Sequence, residues 1–280
     1  MSADVLNPVV DEPTTTHERA FSAGTVWTWV WPKLIAIALV LGAWQLVYLS
    51  GWRPDYVLPS PAETLTTLGD MLGTGRFWSA LQTTMIRAVT GFALAVVIGT
   101  AIGIVVARIT PLRLAVGSLI TGLQTMPSIA WFPFAILIFG LNEQAILFVV
   151  VLGAAPSIAN GVISGIDNVP PSYVRLGAVL GARTVSLYRD IVLPAAMPAY
   201  VAGLTQGWAF AWRSLMAGEL LVIIAEKPSL GASLEFARQF SKAPELLATM
   251  LVILAVGMIV DALFSTLARR MRRKRGLTLT

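Results

Sequence analysis

Six stretches of mostly apolar residues alternate with polar segments along the 280-residue chain. Each stretch is long enough for one membrane crossing, because about 20 apolar residues in a helix span the hydrocarbon core of a bilayer. The predicted spans lie at about residues 30–50, 83–107, 114–140, 145–165, 196–224 and 246–268. This pattern predicts an all-α integral membrane protein.

Both ends of the chain lack the apolar pattern. Residues 1–25 are polar, with acidic side chains and a threonine run, and they predict a disordered tail rather than a signal peptide. Residues 269–280 open with a basic cluster. Such a cluster directly after an apolar span is more typical of a helix end anchored to anionic lipid than of nucleic-acid binding. We therefore expect the membrane domain at residues 26–268.

Local signals add short helices to the polar segments. Ser60, Pro61 and Glu63 suit the N-cap, N1 and N3 positions of a helix that we expect to end near Gly73. A similar helix is expected around residues 233–238.

Small residues recur every four positions on two of the predicted spans. In lipid, such stripes allow helix backbones to approach closely. They are Ala95, Gly99, Gly103 and Ala107 in the second span, and Ser157, Gly161 and Gly165 in the fourth. The pattern indicates a packed bundle.

Composition agrees with the membrane assignment and restricts the chemistry. Hydrophobic residues make up 56% of the chain and charged residues 12%, whereas soluble domains contain about 25% charged residues. Cysteine is absent, so thiolate chemistry is excluded. The single histidine, His17, lies in the polar tail. Lysine and arginine are concentrated on one side of the predicted spans. This bias places both termini and the segment between the fourth and fifth spans in the cytoplasm.

The segment Val174–Pro194 is a polar, arginine-bearing interruption between those two spans. A helix is expected from Ser172 to about Leu180, stopping at Gly181 in a left-handed conformation. A second helix is expected from about Thr184 to Val192, with Leu187, Tyr188 and Ile191 on one face. We expect Pro194 to end it and to turn the chain toward the fifth span. The segment is either a plain surface loop with two helices or a docking element for a partner protein.

The spacing in this loop resembles a known family. Gly181, nine intervening residues, Ile191, and then Leu193 and Pro194 form a pattern similar to the loop motif of permease subunits of bacterial ABC importers. Further segments resemble the nitrate, sulfonate, taurine and bicarbonate branch and extend the likeness over about residues 55–270. These segments are Leu58–Glu63, Met126–Pro133, Phe139–Glu143 and Trp212–Leu220.

The resemblance implies a type I ABC importer transmembrane domain with six helices. A coupling-helix loop at about residues 166–194 would fit a cleft on a cytoplasmic ATPase subunit. The implied coupling residues are Arg175, Gly177, Gly181, Ala182, Leu187, Tyr188, Ile191, Leu193 and Pro194. One position departs from the family, which usually has Glu-Ala-Ala before the glycine. Here Arg175 stands where the acidic contact is expected, so that ion pair does not carry over directly.

The chain has no G-x-x-x-x-G-K-[ST] phosphate-binding loop. ATP and Mg²⁺ are therefore expected on the partner ATPase, and no cofactor, metal or catalytic residue is expected in this chain. The resemblance implies a second copy of the chain, an extracytoplasmic binding protein and membrane lipid as further partners, and no nucleic acid. The implied location is the bacterial cytoplasmic membrane.

Polar residues inside the spans are candidates for a translocation path, because such residues usually face a cavity or a partner helix. The candidates are Gln124, Thr125, Met126, Pro127, Ser128, Asn160, Gln206, Arg213 and Glu219. Gln206 and Arg213 share a helix face, and a fixed positive charge at Arg213 favours a passing anion. The alternative is a structural ion pair between Arg213 and an acid on a neighbouring helix or protomer, with Glu143 and Glu219 as the candidates.

Two other functional classes fit the chain less well. An ion-coupled secondary transporter would be expected to show duplicated spans and more membrane carboxylates. A membrane enzyme would be expected to carry clustered histidines, cysteines or acids. The predicted cargo is a small anion such as an aliphatic sulfonate, taurine or nitrate. Bicarbonate and a thiamine-precursor-like compound are the alternatives.

Overall fold

The structure, a computed structural model, describes the backbone of residues 23–274. The side chains of residues 23–30, 110, 112, 114, 116, 184 and 272–274 are not described. Residues 1–22 of the predicted disordered tail, including His17, and the tail beyond residue 274 lie outside the described residues. Residues 23–25 were predicted to be disordered, but they form the start of the first helix. Helices and their connections account for the described range, which contains no strand. The all-α prediction is confirmed.

Eleven α-helices and two irregular helical turns follow one another in residues 23–274. The α-helices are α1 (Ala23–Leu49), α2 (Pro61–Leu72), α3 (Gly75–Arg108), α4 (Thr110–Thr125), α5 (Phe132–Phe139), α6 (Glu143–Asp167), α7 (Pro171–Val179), α8 (Thr184–Leu187), α9 (Leu193–Leu221), α10 (Leu230–Gln239) and α11 (Ala243–Lys274). A 3-10 turn, Ser128–Trp131, precedes α5, and a π-helical turn, Tyr188–Val192, joins α8 to α9.

The predicted count of six spans is not confirmed. Four helices in the described range, α1, α3, α6 and α11, are long and apolar enough to cross a membrane. The predicted third span is broken instead of continuous, because Gly117–Thr125 and Ser128–Phe139 meet at an angle of 99°. Pro127 lies at the break, where a proline lacks a backbone N–H and disfavours a helical conformation in the residue before it. This pair counts as a fifth span only if both arms form one crossing. The helix of the predicted fifth span, α9, is not among these four, because its polar and charged residues lower its mean hydropathy.

The contacts divide the chain into two units, with the boundary between Trp52 and Arg53. The first unit contains α1, an apolar helix with Pro32 inside it. The second contains α2–α11 and carries all the predicted site residues.

In the second unit, α6 packs between α3 and α9 through small residues. A Cβ atom at Gly99 of α3 would lie 2.6 Å from the carbonyl oxygen of Ala155. On the other side of α6, a Cβ at Gly161 would lie 2.8 Å from the Cα of Gly203 in α9. The close approach predicted from both small-residue stripes is confirmed.

The short helices of the connecting segments begin where their caps predict. The Ser60 hydroxyl accepts the N–H of Glu63 at 3.1 Å, and α2 ends at Leu72 beside Gly73. The second helix, α10, is longer than predicted, because Ser229 caps it by accepting the N–H of Ala232 at 3.2 Å.

The loop between α6 and α9 contains the two predicted helices. Gly181 ends the first with φ +78°, as expected. The prediction for Pro194 is wrong, because the chain stays helical from Thr184 through α9. Pro194 lies in the first turn of α9, and the π-helical turn before it carries the helix onward.

Candidate functional site

The Val174–Pro194 loop is held together by one close contact at Gly177. A Cβ atom there would lie 2.4 Å from Cδ1 of Ile191 and 2.7 Å from Cδ1 of Leu187, so only glycine allows α7 to pack against the following helix. The N–H of Ala182 donates to the Gly177 carbonyl at 2.9 Å and closes the turn. Four of the predicted coupling residues therefore form the inside of this loop.

The remaining predicted coupling residues surround that contact. The Arg108 guanidinium at the end of α3 lies 5.1 Å from the centroid of the Tyr188 ring and ties the loop to the bundle. Arg175 and Gly181 are exposed, Leu193 is half exposed, and Pro194 is half-buried. The side chain of Arg175 forms no ion pair within the described part of the chain. No ion pair within this chain therefore takes the place of the acidic contact expected at this position from the family.

An exposed apolar surface lies on α7, which we call the α7 face: Tyr173, Leu176, Val179 and Leu180. These residues recur at helical spacing, so their side chains share one side of the helix. Val179 is 84% exposed and Leu180 is 76% exposed. Of the predicted coupling residues, Leu187 packs against Gly177 and Tyr188 lies beside Arg108. The i, i+3, i+7 spacing of apolar residues from Tyr173 was the signal for the α7 face.

The predicted path residues do not form one site. The first group lies near the broken span, where the Gln124 amide donates to the Ser157 hydroxyl at 3.3 Å. Ser128 is half-buried and lies near Gly153 of α6, and Asn160 is half-buried one turn beyond Ser157. Thr125, Met126 and Pro127 are exposed at the break.

The second group, Gln206 and Arg213, lies on α9 and faces grooves next to α11. The Arg213 guanidinium lies 5.8 Å from the centroid of the Phe210 ring. No carboxylate of the described residues pairs with it. The alternative of an ion pair with Glu143 or Glu219 of the same chain is wrong, because both acids bind other cations.

Glu219 is fully buried and holds a polar cluster at the end of the bundle opposite the loop. Its carboxylate accepts from Arg87 at 3.0 Å, from the Thr84 hydroxyl at 2.9 Å and from the Gly231 N–H at 3.0 Å. Arg87 also reaches Glu143 at 3.3 Å, and Lys227 binds Glu143 at 2.9 Å. We call Thr84, Arg87, Glu143, Glu219 and Lys227 the Arg87 cluster.

The Arg87 cluster contains two bases and two acids, so its charges cancel. It joins the ends of α3, α6 and α9 to the start of α10, where the Leu230 N–H donates to Thr84 Oγ1 at 3.0 Å. Arg87 was not predicted from the sequence as the partner of Glu143 and Glu219. Its signal was a basic residue within an apolar span, which requires a buried acid. Residues 31–271 with described side chains contain no group of three or more potential metal ligands.

The sequence was compared with known protein families. The profile of the family described as binding-protein-dependent transport system inner membrane component matches residues 99–273. This range includes the end of α3, all of α4–α10, most of α11 and the entire Val174–Pro194 loop.

Individual relatives match over most of their length. A putative ABC transporter permease protein of Methanocaldococcus jannaschii is 28% identical over 82% of this chain and 86% of its own. A putative aliphatic sulfonates transport permease protein of Bacillus subtilis is 27% identical over 88% of both chains. The taurine transport system permease protein of Escherichia coli is 24% identical over 91% of this chain and 95% of its own.

The fold has solved counterparts. A chain of the MetNI methionine ABC transporter in an inward-facing conformation superposes with a TM-score of 0.60 at 18% identity. The match covers 70% of this chain and 96% of the other. At this identity the likeness concerns the fold alone.

Proposed function

Because this chain belongs to the family of binding-protein-dependent transport system inner membrane components and is an ABC importer permease, we propose that it forms the translocation path for a small anion. The chain is a multi-pass membrane subunit with the type I importer fold. ATP hydrolysis is assigned to a separate ATPase subunit, and a second copy of the chain completes the path. An extracytoplasmic binding protein delivers the anion.

The observation that carries this proposal is the α7 face. Four large apolar side chains exposed on one short helix cost free energy in water unless a partner covers them. The loop beneath is packed at Gly177 and continues without a break into α9. A partner bound to α7 would therefore move α9 with it, as ATP-driven transport requires. We place the α7 face in a cleft of the ATPase on the cytoplasmic side, with both termini of the chain.

The small-anion assignment rests on the relatives and on Arg213. Two relatives are described as permeases for aliphatic sulfonates and for taurine. Arg213 supplies a guanidinium whose planar fork suits an oxyanion. We therefore propose an aliphatic sulfonate, taurine or nitrate as the cargo, and bicarbonate or a thiamine-precursor-like compound as the alternative.

A single substitution on the α7 face tests the coupling. We expect Leu180→Asp to abolish co-purification of the ATPase with the permease, because an exposed apolar contact would become a desolvated charge. Energised uptake into membrane vesicles is expected to fall at least tenfold. Size-exclusion chromatography with subunit quantification and an uptake assay measure both effects.

The matched control is Phe240→Asp. Phe240 is 70% exposed and follows α10 at the opposite end of the bundle, so the same change of chemistry occurs far from the ATPase. This variant is expected to retain the ATPase. Full assembly of Leu180→Asp would contradict the docking surface, and uptake that persists without any ATPase would favour an ion-coupled transporter.

A further inference from the structure

Two adjoining grooves run along the boundary between α9 and α11. The larger has a volume of about 720 Å³ and is lined by Trp212, Arg213 and Asp261 among others. The second, of about 470 Å³, continues past Gln206 toward Arg269. Ala209 and Asp261 line both, so the two spaces share a wall.

The larger groove contains two opposite charges without partners. Arg213 and Asp261 are both exposed, and neither forms an ion pair, with the other or with any further side chain that the structure describes. Asp261 lies within the apolar part of α11, eight residues or about 12 Å before Arg269, where the basic cluster begins. A lone charge at this depth in a membrane is costly, and such residues mark substrate or ion pathways.

The two charges lie at neighbouring levels of the bundle. A Cβ atom at Gly257 would lie 2.9 Å from Nε1 of Trp212, so the Trp212 side chain reaches α11 at this residue. Arg213 follows Trp212, and Asp261 lies one turn from Gly257. Both charges therefore line the same groove beside the Trp212–Gly257 contact, and neither is paired with the other. This leaves space for a small molecule with an anionic and a cationic end.

The wall between the charges is apolar and aromatic. Trp208 and Trp212 stack with ring centroids 6.1 Å apart, and Met216 and Met258 line the same groove. Indole faces and thioethers suit short alkyl chains and attract an ammonium group.

We infer that this groove is a substrate site for a small zwitterion, an aminoalkanesulfonate. The sulfonate binds the Arg213 guanidinium, and the ammonium group binds the Asp261 carboxylate. This ligand neutralises both charges at once, whereas a simple alkanesulfonate leaves Asp261 uncompensated. The inference rests on the proposed function and narrows its substrate class.

Binding to the permease–ATPase complex in lipid nanodiscs tests the assignment, with taurine and ethanesulfonate as probes. These two differ by the amino group alone. Asp261→Asn is expected to weaken taurine binding at least tenfold and to leave ethanesulfonate binding unchanged or stronger. Asp261→Glu should preserve the preference for taurine. Arg213→Gln should weaken both probes at least tenfold.

The control is Glu245→Gln, the same acid-to-amide change on α11 outside this groove. It is expected to leave both affinities unchanged. An equal loss of both probes in Asp261→Asn would show a structural role and overturn the inference. Equal binding of both probes by the unaltered complex would also overturn it. A change in the number of permease copies per complex in any of these variants would overturn the inference as well, because it would indicate that a second copy fills the groove.

This result is separable from the proposed function. If Leu180→Asp loses the ATPase but the unaltered complex does not distinguish the probes, the importer assignment stands and the substrate site fails. If taurine binding depends on Asp261 while uptake proceeds without an ATPase, the site stands and the importer assignment fails.

Discussion

A single buried carboxylate, that of Glu219, holds the far end of the bundle together. Burial removes water from both Glu219 and Arg87, so each charge is tolerable only because the other is present. Thr84 and the Gly231 N–H satisfy the remaining lone pairs of the carboxylate. Arg87 Nε has no hydrogen-bond partner, so one buried donor of the pair is already unsatisfied.

We expect Glu219→Ala to destabilise the folded permease by about 3–5 kcal/mol, because it removes the fully buried counter-charge of Arg87 and leaves only the more exposed Glu143. Thermal unfolding in detergent should show this as a clear decrease in Tm. The control, Lys227→Ala, removes a cation whose side chain is 54% exposed, and it should cost less than about 1 kcal/mol. Equal Tm values for the two variants would contradict the central role of the buried pair.

Among the elements, α6 shows how helices pack in lipid. Its neighbours touch it through glycine and alanine, because apolar side chains gain little by leaving lipid and association depends on close backbone contact. The Gly161–Gly203 contact joins α6 to α9 at backbone distance. It sets the position of α9, which carries Gln206 and Arg213.

Gly161→Ala is expected to destabilise the bundle by about 1–3 kcal/mol, because the new methyl group overlaps the backbone of α9. The matched control is Gly122→Ala on α4, where a Cβ would meet nothing within 4 Å. Thermal unfolding of both variants measures the difference. A Gly161→Ala protein as stable as the control would show that α6 and α9 can separate without cost.

At the scale of the whole molecule, one helical path joins three functional regions. It starts at Thr184 in the loop, continues through the π-helical turn into α9, passes Arg213 and ends near Glu219. In this turn the Leu193 N–H donates to the carbonyl of Tyr188, which lies five residues earlier in the chain instead of the four of an α-helix. The turn therefore contains one extra residue. A displacement of the loop is therefore carried along α9 to the groove and to the Arg87 cluster.

Deleting Arg189 removes the extra residue and tests this connection. Restoring α-helical register would rotate α8 by about 100° relative to α9, and Leu187 would leave its contact with Gly177. Uptake by the assembled importer is expected to fall at least tenfold. Arg189→Ala keeps the register and alters only a side chain that is 83% exposed, so its uptake should be unchanged. Normal uptake by the deletion variant would rule out rigid coupling through this turn.

The sequence by itself determined the properties that each segment decides locally. Spans α3, α6 and α11, the cap at Ser60, the left-handed Gly181 and the small-residue stripes were all predictable. Each depends on apolar length, on a capping side chain or on the size of a few neighbouring residues. The family resemblance likewise depended on short motifs that are contiguous along the chain.

Only the tertiary structure decided which sides of the helices meet. Lipid-facing and core-facing positions are equally apolar in a membrane helix, so hydropathy alone does not mark the inner face. Arg87 meets Glu219 across 132 residues of sequence, and Leu187 turns inward only because Gly177 is opposite it. Asp261, which the sequence analysis passed over, became a candidate because α11 presents it to the same groove as Arg213. These pairings depend on long-range packing, and no local signal encodes them.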